Sequence, residues 1–164
     1  MVIELKVSEI RVAGSETPPV VVLSEVDGDR LLPIWMTHGG AAAILGATED
    51  PDERRPSIHD LAGVLVTELA DSELTSVQIV GCEEGQFFAE LVFADRQLPA
   101  RPSDAIALAL RVGCPITCLP EVMDTYGVAA EAAVTSADAP AEDEVEKFLE
   151  FLDSVTPDDF EDPE

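Results

Sequence analysis

The sequence predicts an α+β fold, in which helices pack on a mostly antiparallel twisted sheet and an amphipathic helix follows at the C-terminus. Short segments of alternating apolar residues, separated by turn residues, indicate neighbouring strands that pair with one another. Segments with apolar residues at helical spacing lie between them. The chain has 164 residues and is 46% hydrophobic, which suffices for one core. We expect a domain at residues 1–130, a linker at 131–141 and an acidic tail helix at 142–164.

Three strands are predicted at the N-terminus. The apolar residues change parity midway along residues 2–13, which predicts a β-bulge near Ser8–Glu9 or a strand that passes from one surface to another. Pro18-Pro19 precedes the second strand, and Asp27-Gly28-Asp29 forms the hairpin turn into the third. Because Pro33 cannot donate to a ladder, we expect the third strand to be irregular there or to lie at an edge.

Two helices are predicted next. The small-residue segment HGGAAAILGA indicates the first, and the charged loop TEDPDERRP follows it. Ser57 is expected to cap the second helix. Apolar residues recur along this helix at helical spacing and predict a buried stripe. The stripe consists of Ile58, Leu61, Ala62, Leu65 and Leu69.

The second half of the domain begins with a predicted three-strand antiparallel meander, formed by LTSVQIVGC, EGQFFAELVFA and RQLPA. The helix that follows, in ARPSDAIALALRVG, is apolar nearly all round and must be buried. We expect Ser103 or Asp104 to cap it, Arg111 to complement its C-terminal end and Gly113 to terminate it. PITCL then predicts a short buried strand, and PEVMDTYG a short helix ending at Gly127.

Composition excludes several classes of protein. No apolar run is long enough to span a membrane, and the N-terminus lacks the features of a secretion signal, so we expect a cytoplasmic protein without a membrane partner. The three cysteines have no zinc-ligand spacing and are expected to be reduced. Cys114 and Cys118 are expected to be small buried side chains. The formal net charge is −25, which disfavours nucleic acid as a partner because phosphate contacts need basic side chains.

The acidic tail contains an amphipathic pattern. Val145, Phe148, Leu149 and Leu152 fall on one helical face, with Phe151 and Val155 beside it. Residues 142–164 include eleven acidic residues and one lysine. Such a helix is stable only when its apolar face is covered. Docking on its own domain or on a sister subunit is favoured over a separate protein partner.

Polar residues gather at the start of the buried helix, where Arg101, Ser103 and Asp104 lie close together. Helix capping and an ion pair between Arg101 and a nearby carboxylate would explain them structurally. The functional alternative is a phosphate or carboxylate site in which the guanidinium makes two parallel hydrogen bonds. Pro102 favours this alternative, because the residue before a proline is held in an extended conformation.

Three further positions could take part in chemistry. His59 and Asp60 lie off the apolar stripe in the first turn of the second helix. A neutral imidazole there could act as a general base, although a surface histidine beside a dipole-stabilising aspartate is the simpler interpretation. Glu90 lies mid-strand and is expected to face solvent; if covered, it would need Arg101 or a metal as partner. Trp35, near His38, is interpreted as an aromatic anchor in the core.

A divalent cation, Mg²⁺ or Mn²⁺, is the cofactor considered for this set. Asp60, Glu90 and Asp104 carry the oxygen ligands that such cations prefer. Their spacing in the sequence does not by itself indicate a metal site. Phosphate-binding loops, HExxH motifs and cysteine-rich zinc patterns are absent from the sequence.

With these residues in hand, the chain resembles the bifunctional nuclease domain family. The matching segments are LLPIW, RPSIHDLAGVL, FFAELVF, ARPSDAIALALRVGCPI and EVMDTYG, which together span residues 1 to about 130. The resemblance implies a compact α+β domain that forms homo-oligomers, with a dimer favoured, and that degrades both RNA and DNA. It also implies site residues, with Ser103 assisting Arg101 in binding phosphate and five positions as catalytic candidates. These are His59, Asp60, Glu90, Arg101 and Asp104.

Two features depart from this family pattern. The helix after LPIW reads HGGAAAIL, where relatives usually carry an acidic or amide residue, and the net charge opposes binding to nucleic acid. The tail resembles an extension found in actinobacterial relatives and lies outside the domain. Two functional hypotheses therefore remain open. The first is a phosphodiester hydrolase, and the second is a non-catalytic binding or regulatory module that acts through oligomerisation and its acidic C-terminal helix.

Overall fold

The computed structural model describes residues 1–14 and 16–130, so the predicted linker and C-terminal helix lie outside the described residues. The strands are β1 Ile3–Arg11, β2 Val20–Glu25, β3 Arg30–Trp35, β4 Leu74–Glu83, β5 Gln86–Phe93, β6 Gln97–Ala100, β7 Ile116–Cys118 and β8 Val128–Ala129. The helices are α1 His38–Ala47, α2 Ile58–Val64, α3 Pro102–Val112 and α4 Pro120–Tyr126. A π-helical turn, Leu65–Leu69, continues α2.

All eight strands form one sheet in the order β6-β5-β4-β7-β1-β2-β3-β8. Every neighbouring pair is antiparallel except β4 and β7, which are parallel. The chain connects these two through β5, β6 and α3, and such a crossover is what a parallel pair requires. The predicted α+β class, the mostly antiparallel sheet and the three-strand meander are confirmed.

The hydrophobic core lies between the sheet and the helices. Helix α3 contributes Ile106 and α1 contributes Ile44, both fully buried. The strands present Val21, Leu23 and Ile79 to the same cluster, each with no exposed surface. Since α3 is surrounded on most sides, its sequence can be apolar nearly all round, as predicted.

Two irregularities of the sheet were predicted correctly. The β1–β2 register shifts between Val7 and Glu9, which is the expected bulge. Strand β8 pairs only with Arg30 and Leu31 of β3, so Pro33 lies where β3 forms the edge of the sheet. Proline has no N–H to donate, and at this edge of the sheet the described residues form no further strand to accept one.

The predicted cap of α3 is wrong. Arg101 is the N-cap residue, without a side-chain capping hydrogen bond, and Pro102 occupies the first turn. A proline at this position starts a helix readily because its φ is already helical and its missing N–H is not needed. Ser103 and Asp104 are therefore inside the helix. At the other end Gly113 adopts φ 72° and donates its N–H to Ala109, confirming the predicted terminator.

The predicted burial of the apolar stripe on α2 is also wrong. Ile58 is 72% exposed, Leu65 55% and Leu69 71%. The buried residues of α2 are Asp60 and Gly63. A methyl group at Gly63 would meet the side chains of Arg111 and Val112 on α3 at 3.6 Å, an ordinary van der Waals distance, so α2 packs directly on α3 at this residue.

Trp35 is the third correction. Its side chain is 49% exposed, while its neighbour Ile34 is 1% exposed, because successive strand residues face opposite sides of the sheet. Nearby, His38 Nε2 lies 2.8 Å from the carbonyl of Gly14. The three cysteines are free; Cys118 is buried as expected, whereas Cys114 is only partly buried, which differs from the expectation. Within residues 1–14 and 16–130, every helix is too short or too polar to cross a membrane.

Candidate functional site

The first turn of α2 is fixed by a reciprocal cap. Ser57 Oγ accepts the backbone N–H of Asp60 at 3.2 Å, and Asp60 Oδ2 accepts the backbone N–H of Ser57 at 2.7 Å. This capping box satisfies two groups that would otherwise lack partners at the helix end. His59 lies inside this turn, so its backbone position is set by the cap.

Three of the predicted residues form one connected cluster. His59 Nε2 lies 3.1 Å from Asp104 Oδ1, and Arg101 Nε donates to Asp104 Oδ2 at 2.6 Å. We call His59, Asp104 and Arg101 the bridged cluster, because one carboxylate joins the imidazole to the guanidinium. Arg101 and Asp104 are three residues apart on α3, whereas His59 comes from α2. The packing of α2 against α3 therefore assembles the cluster.

The carboxylate of the bridged cluster is held in its ionised form. Burial alone would raise the pKa of Asp104, but hydrogen bonds from Arg101 and His59 outweigh it, and the pKa lies below its ordinary value. The hydrogen bond that Arg101 donates to Asp104 also raises the pKa of Arg101. When the imidazole is neutral, donation from Nε2 to Asp104 leaves the lone pair on Nδ1. Asp104 can thus select the tautomer and orientation of His59.

Arg101 retains most of its capacity to bind a ligand. Its side chain is 76% exposed, against 20% for His59 and 34% for Asp104. Only Nε is engaged by Asp104; among the described residues, the two terminal nitrogens have no acceptor. These nitrogens carry four of the five N–H donors of the guanidinium. They can contact two oxygens of a phosphate or carboxylate from solvent.

Glu90 shares a groove with Arg101 but does not pair with it. Both line an open surface groove of about 510 Å³ with Phe88 and Pro99. Glu90 is half-buried on β5, on the face opposite the buried Ala89, so the outward orientation expected for it is found. A ligand held by Arg101 in this groove would lie near a second carboxylate.

Asp60 is turned away from the bridged cluster. Its Oδ1 lies 2.5 Å from Arg111 Nε, although without the alignment of a hydrogen bond, and its Oδ2 accepts from Ser57. The pKa of Asp60 is lowered, chiefly by hydrogen bonds from Ser57 and secondarily by the charge of Arg111. Both oxygens are thus committed to holding α2 in place, which argues against the catalytic role expected for Asp60.

Arg111 is the structural residue whose importance the sequence did not reveal. It was expected to complement the end of its own helix. Instead it donates to the carbonyls of Gly46 and Glu49 at the end of α1, at 2.6 and 2.5 Å, while facing Asp60 on α2. One side chain therefore joins three helices. No local pattern indicates such partners, which lie about 50 to 65 residues away along the chain.

Ser103 is buried between α3 and α1, with 7% of its surface exposed. A methyl group at Gly40 would lie only 2.7 Å from Ser103 Cβ and 2.9 Å from its Oγ, so the two helices are in close contact there. This position argues against the phosphate-binding role expected for Ser103. Its small size is what the helix contact requires.

The residues expected to hold a divalent cation do not gather. In the described part of the chain, no group of three histidine, cysteine or acidic side chains is arranged to ligate a metal. Asp60 is engaged with Arg111, Glu90 lies on the sheet and Asp104 lies in the bridged cluster. The donor set does not fit a shared metal centre, and the divalent cofactor stays a prediction.

Comparison with known proteins agrees with this architecture. The model of the "Bifunctional nuclease domain" family matches residues 21–131. Two relatives from Mycobacterium tuberculosis, the uncharacterized protein MT1877 of strain CDC 1551 / Oshkosh and the uncharacterized protein Rv1829 of strain ATCC 25618 / H37Rv, are each 46% identical over 161 residues. The match covers 96% of this chain and 97% of each relative. The family match includes α2, α3 and the whole bridged cluster, so the chain belongs to the bifunctional nuclease domain family.

Proposed function

We propose that this protein hydrolyses phosphodiester bonds in single-stranded RNA and DNA, with the bridged cluster as its active site. The observation that carries the proposal is that Asp104 joins a histidine to an arginine with 76% of its side chain exposed. An imidazole oriented by a carboxylate is a general base, and an arginine beside it can bind the scissile phosphate. Membership of a nuclease family supports this assignment.

The chemistry follows from the two substrates. DNA has no 2′-hydroxyl, so one mechanism for both nucleic acids cannot use the sugar hydroxyl as the nucleophile, and we assign that role to water. His59 takes a proton from that water through Nδ1, while Asp104 holds the ring through Nε2. Arg101 places its terminal N–H groups on the phosphate oxygens and stabilises the charge that develops there. The P–O bond to the leaving oxygen then breaks, this oxygen takes a proton from solvent water, and His59 releases the proton it accepted to solvent.

The test uses the purified full chain with labelled single-stranded RNA and DNA oligonucleotides. We expect His59→Ala to lower the cleavage rate by about 10²- to 10⁴-fold, the usual contribution of a general base. Arg101→Ala should lower it by about 10²- to 10³-fold through lost stabilisation of the transition state. Rates are measured with EDTA and separately with Mg²⁺, Mn²⁺ or Ca²⁺, which also tests for a divalent cofactor.

The chain provides matched controls for both substitutions. Arg96 is an exposed arginine paired with Asp95, as Arg101 is paired with Asp104, and His38 is the second histidine. Arg96→Ala and His38→Ala should cleave at the wild-type rate. Wild-type rates in both Arg101→Ala and His59→Ala would refute the active-site assignment.

A second candidate function is a non-catalytic binding or regulatory module. The observation that favours it is the charge near Arg101, where the carboxylates of Asp104 and Glu90 outnumber the one guanidinium. With a formal net charge of −25, the whole chain also repels polyanions. In that case the wild type cleaves no oligonucleotide, either with EDTA or with any of the three metal ions. Deletion of residues 142–164 then changes its association with itself or with a protein partner.

A further inference from the structure

We propose that the exposed apolar face of α2 is the docking site of this chain's own C-terminal segment, residues 145–155. Ile58, Leu61, Leu65 and Leu69 form this face, which we call the α2 stripe. The inference concerns how the chain packs on itself and does not depend on nuclease activity. It assigns a partner to an apolar surface that residues 1–14 and 16–130 leave uncovered.

The α2 stripe is continuous along the helix and the turn after it. Ile58, Leu61 and Leu65 follow the three- and four-residue spacing of one helical face, and Leu69 continues it through the π-helical turn. Exposure along this line is 72%, 46%, 55% and 71%. The opposite face of α2 already packs on α3 through Gly63 and Asp60. A contiguous apolar surface of this kind marks an interaction site.

The C-terminal segment has the complementary pattern. Val145, Phe148, Leu149 and Leu152 share one helical face, so the segment would bury this face by lying along the α2 stripe. Neither apolar row has a partner among the described elements, and each is about three helical turns long. Apolar helices of this length gain most of their stability from such packing.

The linker is long enough for docking within one chain. Residues 131–144 separate the end of the described structure from Val145, and fourteen extended residues reach about 45 Å. A domain of 130 residues has a radius of gyration of about 14 Å, so this reach covers its surface. The match to the relatives also extends over this segment, because a match over 96% of the chain must continue well past residue 131.

The loop before the α2 stripe carries charges of both signs. Arg54 and Arg55 lie exposed just before the α2 stripe, and neither pairs with a described carboxylate. Asp52 in the same loop is engaged by their backbone N–H groups. Residues 142–164 carry eleven acidic residues and one lysine. The same exposed loop carries the acidic residues Glu49, Asp50, Asp52 and Glu53. The loop as a whole is therefore acidic, and the apolar rows, not charge, carry the docking.

The chain's own segment is favoured over a second copy. Charge opposes both arrangements, because two copies carry a formal net charge of −25 each and the segment is acidic like the rest of its own chain, so the tether decides between them. A segment tethered by a short linker is present at about millimolar effective concentration whatever the concentration of the protein. Docking within one chain therefore precedes association between chains.

Hydrogen exchange of the full chain tests the proposal. We expect the backbone amides of residues 145–152 to exchange at least about tenfold more slowly than in an unstructured peptide. Leu65→Asp on the α2 stripe and Leu149→Asp on the segment should each abolish this protection. Neither Leu65→Asp nor Leu149→Asp replaces a buried residue of the described domain. An unchanged melting temperature will therefore show that the domain remains folded in each variant.

Two charge-matched controls accompany these variants. Leu98→Asp replaces a leucine on β6 that is 44% exposed and distant in sequence from α2. Ser154→Asp adds the same charge to the segment, on the helical face opposite Leu149. Both controls should keep the protection of residues 145–152.

Three results would overturn the proposal. Unprotected amides in the wild type would show that the segment does not dock in the isolated protein. Protection that survives Leu65→Asp would place the segment on another surface. Protection that falls on tenfold dilution, with a matching fall in mass by light scattering, would show that a second copy covers the α2 stripe.

Discussion

Helices α2 and α3 lie side by side at the candidate site, yet they meet the domain in opposite ways. Helix α3 buries its central apolar residues, with Ala105 and Ile106 both at 0% exposure. Helix α2 turns a glycine and an aspartate inward and leaves Ile58, Leu65 and their neighbours in the stripe exposed. Both helices carry apolar residues at helical spacing, α3 nearly all round and α2 along one face, but only those of α3 form part of the core.

This difference shows what apolar spacing can establish. A row of apolar residues on a helix indicates that this face needs a partner, but not that the partner belongs to the same domain. The inward face of α2 carries Gly63, which lies against Arg111 and Val112, and Asp60, which forms a charge pair with Arg111. Small and charged residues thus determined the packing, and the larger apolar residues remained available for another contact.

The largest expected effect comes from removing the link between the two helices. Arg111→Ala leaves the carboxylate of Asp60 buried without its counter-charge and frees the carbonyls of Gly46 and Glu49. We expect the melting temperature to fall by about 10 °C or more, because loss of one partner from a buried ion pair is strongly destabilising. Thermal unfolding followed by circular dichroism measures this.

The control for this experiment is Arg96→Ala, which removes an exposed arginine from a surface pair with Asp95. Its melting temperature should stay within about 2 °C of the wild type, since exposed pairs contribute little. The double variant Asp60→Asn/Arg111→Met should recover part of the loss, because it buries no lone charge. Equal melting temperatures for Arg111→Ala and Arg96→Ala would contradict the role of Arg111 as the link.

A smaller effect separates the two apolar faces directly. Ile106→Ala on α3 should lower the free energy of unfolding by about 2–5 kcal/mol, because a fully buried side chain leaves a cavity. Leu65→Ala on α2 should cost no more than about 1 kcal/mol, because its side chain is 55% exposed. Urea unfolding at neutral pH measures both. Losses of equal size would place the α2 stripe in a core as well packed as that around α3.

Much of the fold could be predicted because its signals are local. The parity change near Ser8–Glu9, the turn at Asp27-Gly28-Asp29 and the terminator Gly113 each act within a few residues. Backbone preferences at such positions do not depend on the rest of the chain. The start of α3 was misread for the same local reason, since Pro102 decided where the helix begins and the capping preference of Ser103 did not.

The site was predictable only in part, because its contacts are distant along the chain. Arg101 and Asp104 are three residues apart, so an ion pair between them follows from helical spacing. His59 and Asp104 are forty-five residues apart, and only the packing of α2 on α3 brings them together. The exposure of Trp35 was missed because sheet position, not residue type, decides which side of β3 faces solvent. Long-range geometry of this kind leaves no periodic signal.

The smallest expected effect is a pH dependence that belongs to α2 alone. Hydrogen bonds from Ser57 lower the pKa of Asp60 below its ordinary value of 3.8. Because the folded-state pKa lies below the unfolded one, the unfolded chain binds more protons in acid. The stabilisation from the ionised carboxylate is thus complete above the ordinary pKa and is lost as the pH falls through the lowered pKa.

We compare urea unfolding of the wild type and Asp60→Asn from about pH 2 to 7. The stability difference should be constant above about pH 5, shrink as the pH falls from about 4 through the lowered pKa and level off below it, since protonation leaves both side chains neutral. Asp104 and the other carboxylates titrate in both proteins and cancel. A difference that persists unchanged to pH 2 would show that the charge of Asp60 does not hold α2 on α3.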